Sequence, residues 1–480
     1  MTALTLIWII LPLFVGFSIY LLPSLARGLA LAVSGVSLAY GLWHVLNPAP
    51  ITLQLVDSFG ISLVIDELSG FFILTNAVVT AAVVLYCWQT GKNAFFYTQT
   101  LILHGSVNSV FICADLISVY VALEVIGIAA FLLIAYPRTD RAIWVGLRYL
   151  FVSNTAMLFY LLGTVLVYQT NRSFAFTALV GAPVEAIALI FLGLLTKGGI
   201  FVSGLWLPLT HSESETPVSA LLSGAVVKTG VFPLVRFALL LPEIDPIVRL
   251  FGVATALFGV GFAVLAQDTK RILAFHTVSQ LGFILAAPAV GGFYALTHGL
   301  VKSALFLTVG NLPSRNLKVL KKNPISTSLW IVLAIASFSI SGFPLLSGFG
   351  AKVLTSKNLL PWQVIGMNIA ALGTAISFAK FIFLPHARSL ETTEHKPKSG
   401  FWLAIALLLS GLILANIFYY EAYSLNNIVK PLVTIAAGWL AYLFIFQKLS
   451  VKVPRIAEQF DHLIGAMSLM LTLLFWMVLA

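Results

Sequence analysis

Charge is what this sequence has least of. Asp, Glu, Lys and Arg make up 9% of its 480 residues, where soluble domains carry about a quarter. Hydrophobic residues make up 60%, and the mean hydropathy is +1.02. Burial in a soluble core cannot absorb that imbalance, so the net charge of +10 is no sign of a nucleic-acid partner. Cysteine is almost absent. Cys87 and Cys113 both lie in apolar stretches, which argues against a disulfide framework or a metal site. There is no P-loop, no GxGxxG after a strand, no cysteine cluster for iron–sulfur and no haem motif. The chain is therefore expected to have no ATP or redox chemistry of its own, and neither a cofactor nor a metal. No basic segment precedes Arg27, so Thr5 to Leu22 reads as a first spanning helix rather than a cleaved signal.

Apolar runs of membrane-spanning length are present from end to end. They fall at 3–22, 28–46, 68–89, 94–114, 116–136, 144–168, 184–207, 217–241, 247–266, 271–289, 291–311, 327–358, 361–385, 400–420, 428–446 and 463–479. The runs are continuous rather than alternating, which indicates helices and not a barrel. The expected fold is an all-α polytopic membrane protein of about 14–16 transmembrane helices. The twelfth run is too long and too rich in Gly and Pro to be one straight helix. Odd-numbered connections hold sixteen Lys and Arg residues against four in even-numbered ones. That bias puts the odd connections in the cytoplasm and both termini outside a bacterial inner membrane, or a thylakoid. Residues 51–65 read as an external β-hairpin, and residues 386–399 as a cytoplasmic linker before a C-terminal helical tail.

Removing the loops leaves Arg148, Lys197, Lys228, Arg236, Lys302, Lys352 and Lys380 within spans, with His104, His276 and His298. Glu124 is the one carboxylate well inside a span, and Asp115 sits at a helix edge. Each buried charge costs at least about 2.5–3.5 kcal/mol at a helix centre. Arg148 and Arg236 lie near span ends and read equally well as snorkelling or ion-paired groups. His104 reads as a packing histidine. Lys197, Lys228, Lys352 and Glu124 have long apolar flanks and favour function.

These charges come in order. Glu124, Arg148, Lys197 and Lys228 are spaced 24, 49 and 31 residues apart; His276, Lys302, Lys352 and Lys380 are spaced 26, 50 and 28. The two sets are offset by about five helices. A tandem five-helix unit must be inverted in the membrane, because five is odd, and inverted repeats with a site between them are a transporter arrangement. The units would be 94–241 and 247–385, flanked by 1–93, the linker 386–399 and a tail at 400–480. Lys197 and Lys352 occupy matching slots, in LLTKGGIFVSGLWLP and SGFPLLSGFGAK, where Gly and Pro would unwind the helix at membrane depth.

KGGIFVSGLWLP…TPVSALLSGAVVKTGVFPLVRF resembles the broken seventh helix and the eighth helix of the antiporter-like family. That family holds the large proton-pumping membrane subunits of respiratory complex I and the A-type and D-type members of Mrp multisubunit cation/proton antiporters. DTKRILAFHTVSQLGF, THGLVKSALFLTVGNL, SGFPLLSGFGAK and DLISVYVALEVIGI match further segments, so the likeness runs from about residue 60 to 385. KGGIF, SALLSGAVVKTGV and HTVSQLGF are most similar to the D-type member of the Mrp Na⁺/H⁺ antiporters.

The resemblance implies that Glu124 is the fifth-helix glutamate, that Lys197 pairs with it, that Lys228 and His298/Lys302 are central relays, and that Lys352 is the terminal lysine. Arg148, His276 and Lys380 are secondary candidates. It implies a subunit that moves H⁺, with Na⁺ as the expected exchanged cation, among the other large and small subunits of a membrane complex. A proton-pumping subunit of an NADH-dehydrogenase-like complex and the membrane half of an inorganic-carbon uptake system are the alternatives. Glu213 and Glu215 depart from the family pattern, and no dedicated sodium site is visible.

Overall fold

The computed structural model describes residues 2–56, 60–388, 397–448 and 459–479. The hairpin tip at Asp57–Phe59, most of the 386–399 linker, and Lys452 and Arg455 lie outside the described residues.

The apolar runs form helices. α1 (Thr2–Ser18) and α2 (Ala26–Leu46) precede β1 (Ile51–Val56) and β2 (Gly60–Ile65), then come α3 (Glu67–Cys87), α4 (Ala94–Val110), α5 (Leu116–Ile134) and α6 (Asp140–Asn171). The chain continues through α7 (Val184–Gly198), α8 (Leu207–Glu213), α9 (Thr216–Leu221), α10 (Lys228–Leu240), α11 (Asp245–Leu265), α12 (Thr269–Ala286) and α13 (Gly291–Val309). After the short α14 (Leu317–Leu320) and β3 (Ile325–Ser326) come α15 (Thr327–Ser341), α16 (Ser347–Lys357), α17 (Gln363–Ile382) and β4 (His386–Ala387). A tail of α18 (Ser399–Phe418), α19 (Leu425–Ala441) and α20 (Phe460–Leu479) closes the chain. Among the described residues, 12 helices are long and apolar enough to cross a membrane. The protein is an all-α polytopic membrane protein.

Polar caps set where several spans begin. Asp66, Asn93, Asp115, Thr139 and Asp268 each accept a backbone N–H in the first turn that follows, satisfying a group that has no partner within the helix. The expected hairpin forms, with Ile51 opposite Ile65 and Leu53 opposite Leu63. Asp115 does more than cap α5, because it also accepts the Ser62 N–H at 3.0 Å and so ties the hairpin to the bundle.

Burial sorts the helices. α1 turns Ile7, Ile10, Phe14 and Phe17 outward, and the tail helices expose Leu414, Ile417, Phe444 and Trp476. α10, α12 and α13 are enclosed almost throughout. The helices that carry Lys228 and Lys302 are thus screened by neighbours, as an intramembrane ammonium requires.

Arg236 has a structural explanation. Its guanidinium grips Asp66 with two nitrogens, one contact being 2.9 Å, and donates to Ser69 Oγ at 3.0 Å. Burial pushes the Asp66 carboxyl up, but Arg236 and Ser69 more than reverse this and hold it below the usual carboxylate value. The pair's stabilisation is then fully present above about pH 4 and is lost as the pH falls further. Arg236→Ala should cost on the order of 2–3 kcal/mol at pH 7, less than the about 3–5 kcal/mol of full burial because Asp66 keeps some exposure. The gap from the parent should persist to about pH 4 and narrow by about pH 3. Thermal unfolding in detergent at pH 7 and about pH 3 checks this, and equal midpoints at pH 7 would show the pair to be idle.

Candidate functional site

Two helices break at mid-chain, and they break alike. α7 and α15 are each 15 residues long, and each ends on a left-handed glycine, Gly199 (φ 69°) and Gly342 (φ 88°). Gly199 N–H donates to Thr196 O at 3.1 Å and Ile200 N–H to Leu195 O at 2.8 Å. Gly342 N–H donates to Ser339 O at 3.0 Å and Phe343 N–H to Phe338 O at 2.9 Å. Both are the paired bonds of a Schellman cap, which closes a helix end on glycine. The Trp206 indole spans the first break and donates to Thr196 O at 2.8 Å. At the second, a Cβ on Gly348 would lie 1.8 Å from Ser339 O, so α16 turns back hard against the end of α15.

The lysines do not share one slot. Lys197 lies before its break, in the last turn of α7, and Lys352 after its break, within α16. Lys352 still returns to the break, since its Cδ would lie 2.9 Å from a Cβ on Gly342.

Glu124 is half-buried on α5. Among the described residues it forms no ion pair, with Lys197 or any other group. Lys197 Nζ donates instead to Leu123 O at 2.9 Å and Ser153 Oγ at 2.6 Å. The expected Glu124–Lys197 ion pair is therefore not made in this structure, though the two groups are close enough to feel each other's charge. The ammonium rests over Gly127, where an added Cβ would lie 3.3 Å from Nζ.

Lys228 is wholly buried, and its acceptors come from its own helix. A π-turn at Leu222–Val226 interrupts the ladder between α9 and α10, and Nζ takes Gly224 O at 2.6 Å and Ser223 O at 3.2 Å. Such turns recur at functional sites because they free backbone groups. α7 and α10 meet nearby through glycine, where a Cβ on Gly230 would lie 2.3 Å from Gly198 N.

Polar groups fill the space between Lys228, which bonds the Ser223 carbonyl, and Lys302. Ser223 Oγ and Thr277 Oγ1 are 2.7 Å apart, Thr277 Oγ1 donates to Leu273 O at 3.0 Å, and Lys302 Nζ donates to that same carbonyl. His298 sits one turn before Lys302 on α13, buried, with both ring nitrogens lacking a protein partner. Its wall is shared: a cavity of about 10 Å³ lies among His298, Tyr294, Gln280, Gly348 and Lys352, close to the volume one water needs. Lys352 Nζ has no protein acceptor.

The secondary candidates diverge. Arg148 is buried on α6. His276 is buried on α12, packs on Phe378 at 4.5 Å, and has no partner at either nitrogen. Lys380 donates to Ala263, Val264 and Ala266 carbonyls at 2.6–3.1 Å, which makes it a cap on the end of α11. His104 is held by Ser37 at 2.9 Å and Thr80 at 3.1 Å, as a packing histidine should be. Sequence spacing does not single out His211, which lies buried on α8 against Phe306 with both nitrogens unpartnered. Ser153, Ser223 and Thr277 are likewise visible only in three dimensions.

Residues 113–377, more than half of the chain, match the family described as NADH:quinone oxidoreductase/Mrp antiporter, TM. The N-type member of the NADH-quinone oxidoreductase of Desulforudis audaxviator is 30% identical over 436 residues, covering 80% of this chain and 86% of that protein. The D-type member of the Na(+)/H(+) antiporter of Alkalihalophilus pseudofirmus is 27% identical over 423 residues, covering 78% of this chain and 85% of that protein. A chain of the Mrp complex from Dietzia sp. DQ12-45-1b superposes with a TM-score of 0.73 at 21% identity, over 96% of this chain and 99% of its own, and supports the fold. The chain belongs to the NADH:quinone oxidoreductase/Mrp antiporter transmembrane family.

Proposed function

We propose that the chain is the proton-translocating membrane subunit of a multisubunit cation/proton antiporter, with Na⁺ the exchanged cation. The observation that carries this reading is the run of buried polar groups from Lys228 past the Ser223 and Thr277 hydroxyls to Lys302, continued by a water-sized void from His298 to Lys352.

A buried lysine holds its proton when a carboxylate is beside it and releases it more readily when that partner leaves. With Glu124 close, Lys197 keeps its proton. Without that ion pair, Lys197 hands a proton through water to Lys228. It then passes through water beside the Ser223 and Thr277 hydroxyls to Lys302, and on to His298, Lys352 and the solvent beside Lys357 and Lys430. Two inverted five-helix units, 94–241 and 247–385, would give each side of the membrane one half-channel, and their like-capped breaks support that relation. Arg148, His276 and Lys380 would tune the path by charge rather than carry the proton.

The chain would act with the other large and small subunits of its complex in an energised bacterial inner membrane, both termini outside, using no redox or ATP chemistry of its own. A second reading is a proton-pumping subunit of an NADH-quinone oxidoreductase, which the Desulforudis relative favours. Vesicles containing the whole complex decide between them. Na⁺-triggered dissipation of a pH gradient favours the antiporter, and NADH-driven acidification the oxidoreductase. Glu124→Ala and Lys197→Ala should each lower the initial rate at least tenfold with assembly intact. Parental rates in either variant would sink the path.

A further inference from the structure

Lys352 also lines a larger cavity, of about 180 Å³, together with Phe283, Ser341, Thr355 and two further lysines, Lys357 and Lys430. The Lys352 ammonium lies 5.6 Å from the centre of the Phe283 ring, which places it at this wall. Lys352 Nζ, Ser341 Oγ and Thr355 Oγ1 are all buried and have no protein partner. Ser341 is 5% exposed and Thr355 2%. Lys357 and Lys430 are exposed and stand where the cavity meets solvent. Among the described residues no Asp or Glu lines it.

Lys197 has a carboxylate within one helix turn of its acceptor, Leu123 O, because Glu124 follows in sequence. Lys352 has none. Buried charges are paired or they are expensive, and three lysines around one space repel any cation from it. Water can fill the cavity but cannot neutralise an ammonium. The space exceeds the about 30 Å³ that one water occupies in the liquid and would take a halide with some of its shell. Hydroxyls and an ammonium with no acceptor are the groups that surround a small anion.

We propose that this cavity binds a small inorganic anion of the chloride class, the counter-ion of Lys352 while that lysine carries its proton; the counter-ion role rests on the proposed proton path. The anion would enter past Lys357 and Lys430, donate nothing, and accept from Lys352 Nζ, Ser341 Oγ and Thr355 Oγ1. It would supply from solution the negative charge that the described residues lining this cavity do not provide.

Crystals of the full-length protein grown in bromide test this by anomalous scattering. A bromide peak within hydrogen-bonding distance of Lys352 Nζ is expected. It should vanish in the Ser341→Ala/Thr355→Val double variant, whose thermal unfolding midpoint should match the parent's. Water alone in the cavity, a lipid phosphate seated between Lys357 and Lys430, or a peak that survives the double substitution would overturn the site. Its failure is separable from failure of the proton path. A missing peak alongside inactive Glu124→Ala and Lys197→Ala variants removes the anion and keeps the path. A clear peak alongside fully active variants keeps the anion and removes the path.

Discussion

Lys302→Met is expected to lower proton transport at least tenfold while leaving the protein folded and assembled. Lys302 is wholly buried, and its ammonium shares the Leu273 carbonyl with Thr277, the last hydroxyl of the run from Lys228. One turn away is His298, the next group towards Lys352. Remove the ammonium and the proposed route loses the amine that takes a proton from water beside Thr277 and passes it to His298. Met is the right probe because it fills the volume of the lysine stem with a flexible apolar chain, and it relieves the cost of desolvating a charge. The variant should therefore be at least as stable as the parent. Lys302→Arg should fail as well, since a planar fork of five donors cannot be satisfied by one carbonyl in a space shaped for an ammonium. Pyranine-loaded vesicles report the initial rate, and a Met variant above half the parental rate would exclude Lys302 from the path.

Gly348→Ala is expected to loosen the second break and lower the thermal unfolding midpoint by about 3 °C or more, from an overpacking cost at or above the usual about 1–3 kcal/mol. The obstacle is backbone, since Ser339 O would be 1.8 Å and Ser339 C 2.6 Å from the new Cβ, and neither can swing aside as a side chain could. The first turn of α16 would have to lift off α15, carrying Lys352 away from both His298 and Gly342. Gly350→Ala is the control, because its nearest neighbours would be 3.6 Å away, in ordinary contact. Scanning fluorimetry in detergent on both variants separates them. Equal midpoints would mean that the break is plastic rather than fixed.

The sequence made the spans, the two breaks and the buried charges legible because each leaves a one-dimensional mark: apolar length, Gly and Pro at depth, ionisable residues among apolar flanks. Lys197, Lys228, Lys302 and Lys352 could be named on that basis alone. What joins them could not. Ser223 and Thr277 are 54 residues apart, and hydroxyls inside membrane helices usually bond their own backbone, so neither stands out from the many that do. Asp66 and Arg236 are separated by 170 residues, and the aspartate reads as a loop residue until the fold brings them together. Residue spacing also misplaced Lys352. It lies 155 residues after Lys197, but Gly342 lies only 143 after Gly199, so counting from lysine to lysine conceals that they flank their breaks on opposite sides. Gly127 was invisible for the opposite reason, because only an absent side chain makes room for the Lys197 ammonium.

The carbonyls that hold these lysines have a chemical consequence. Lys197, Lys228, Lys302 and Lys380 are all held by peptide oxygens. A peptide oxygen offers partial negative charge but is far too weak a base to take a proton at any working pH. It can steady an ammonium without ever competing for what the ammonium carries. Each of these lysines therefore sits in a site that attracts its charged form yet cannot trap the proton, and every proton that leaves must go to water, to an imidazole or to another amine. A carboxylate in the same place would be a rival base, able to keep the proton itself. In the proposed path that task falls to Glu124, so one residue would set when the row discharges, and the relay lysines would pass on what they receive.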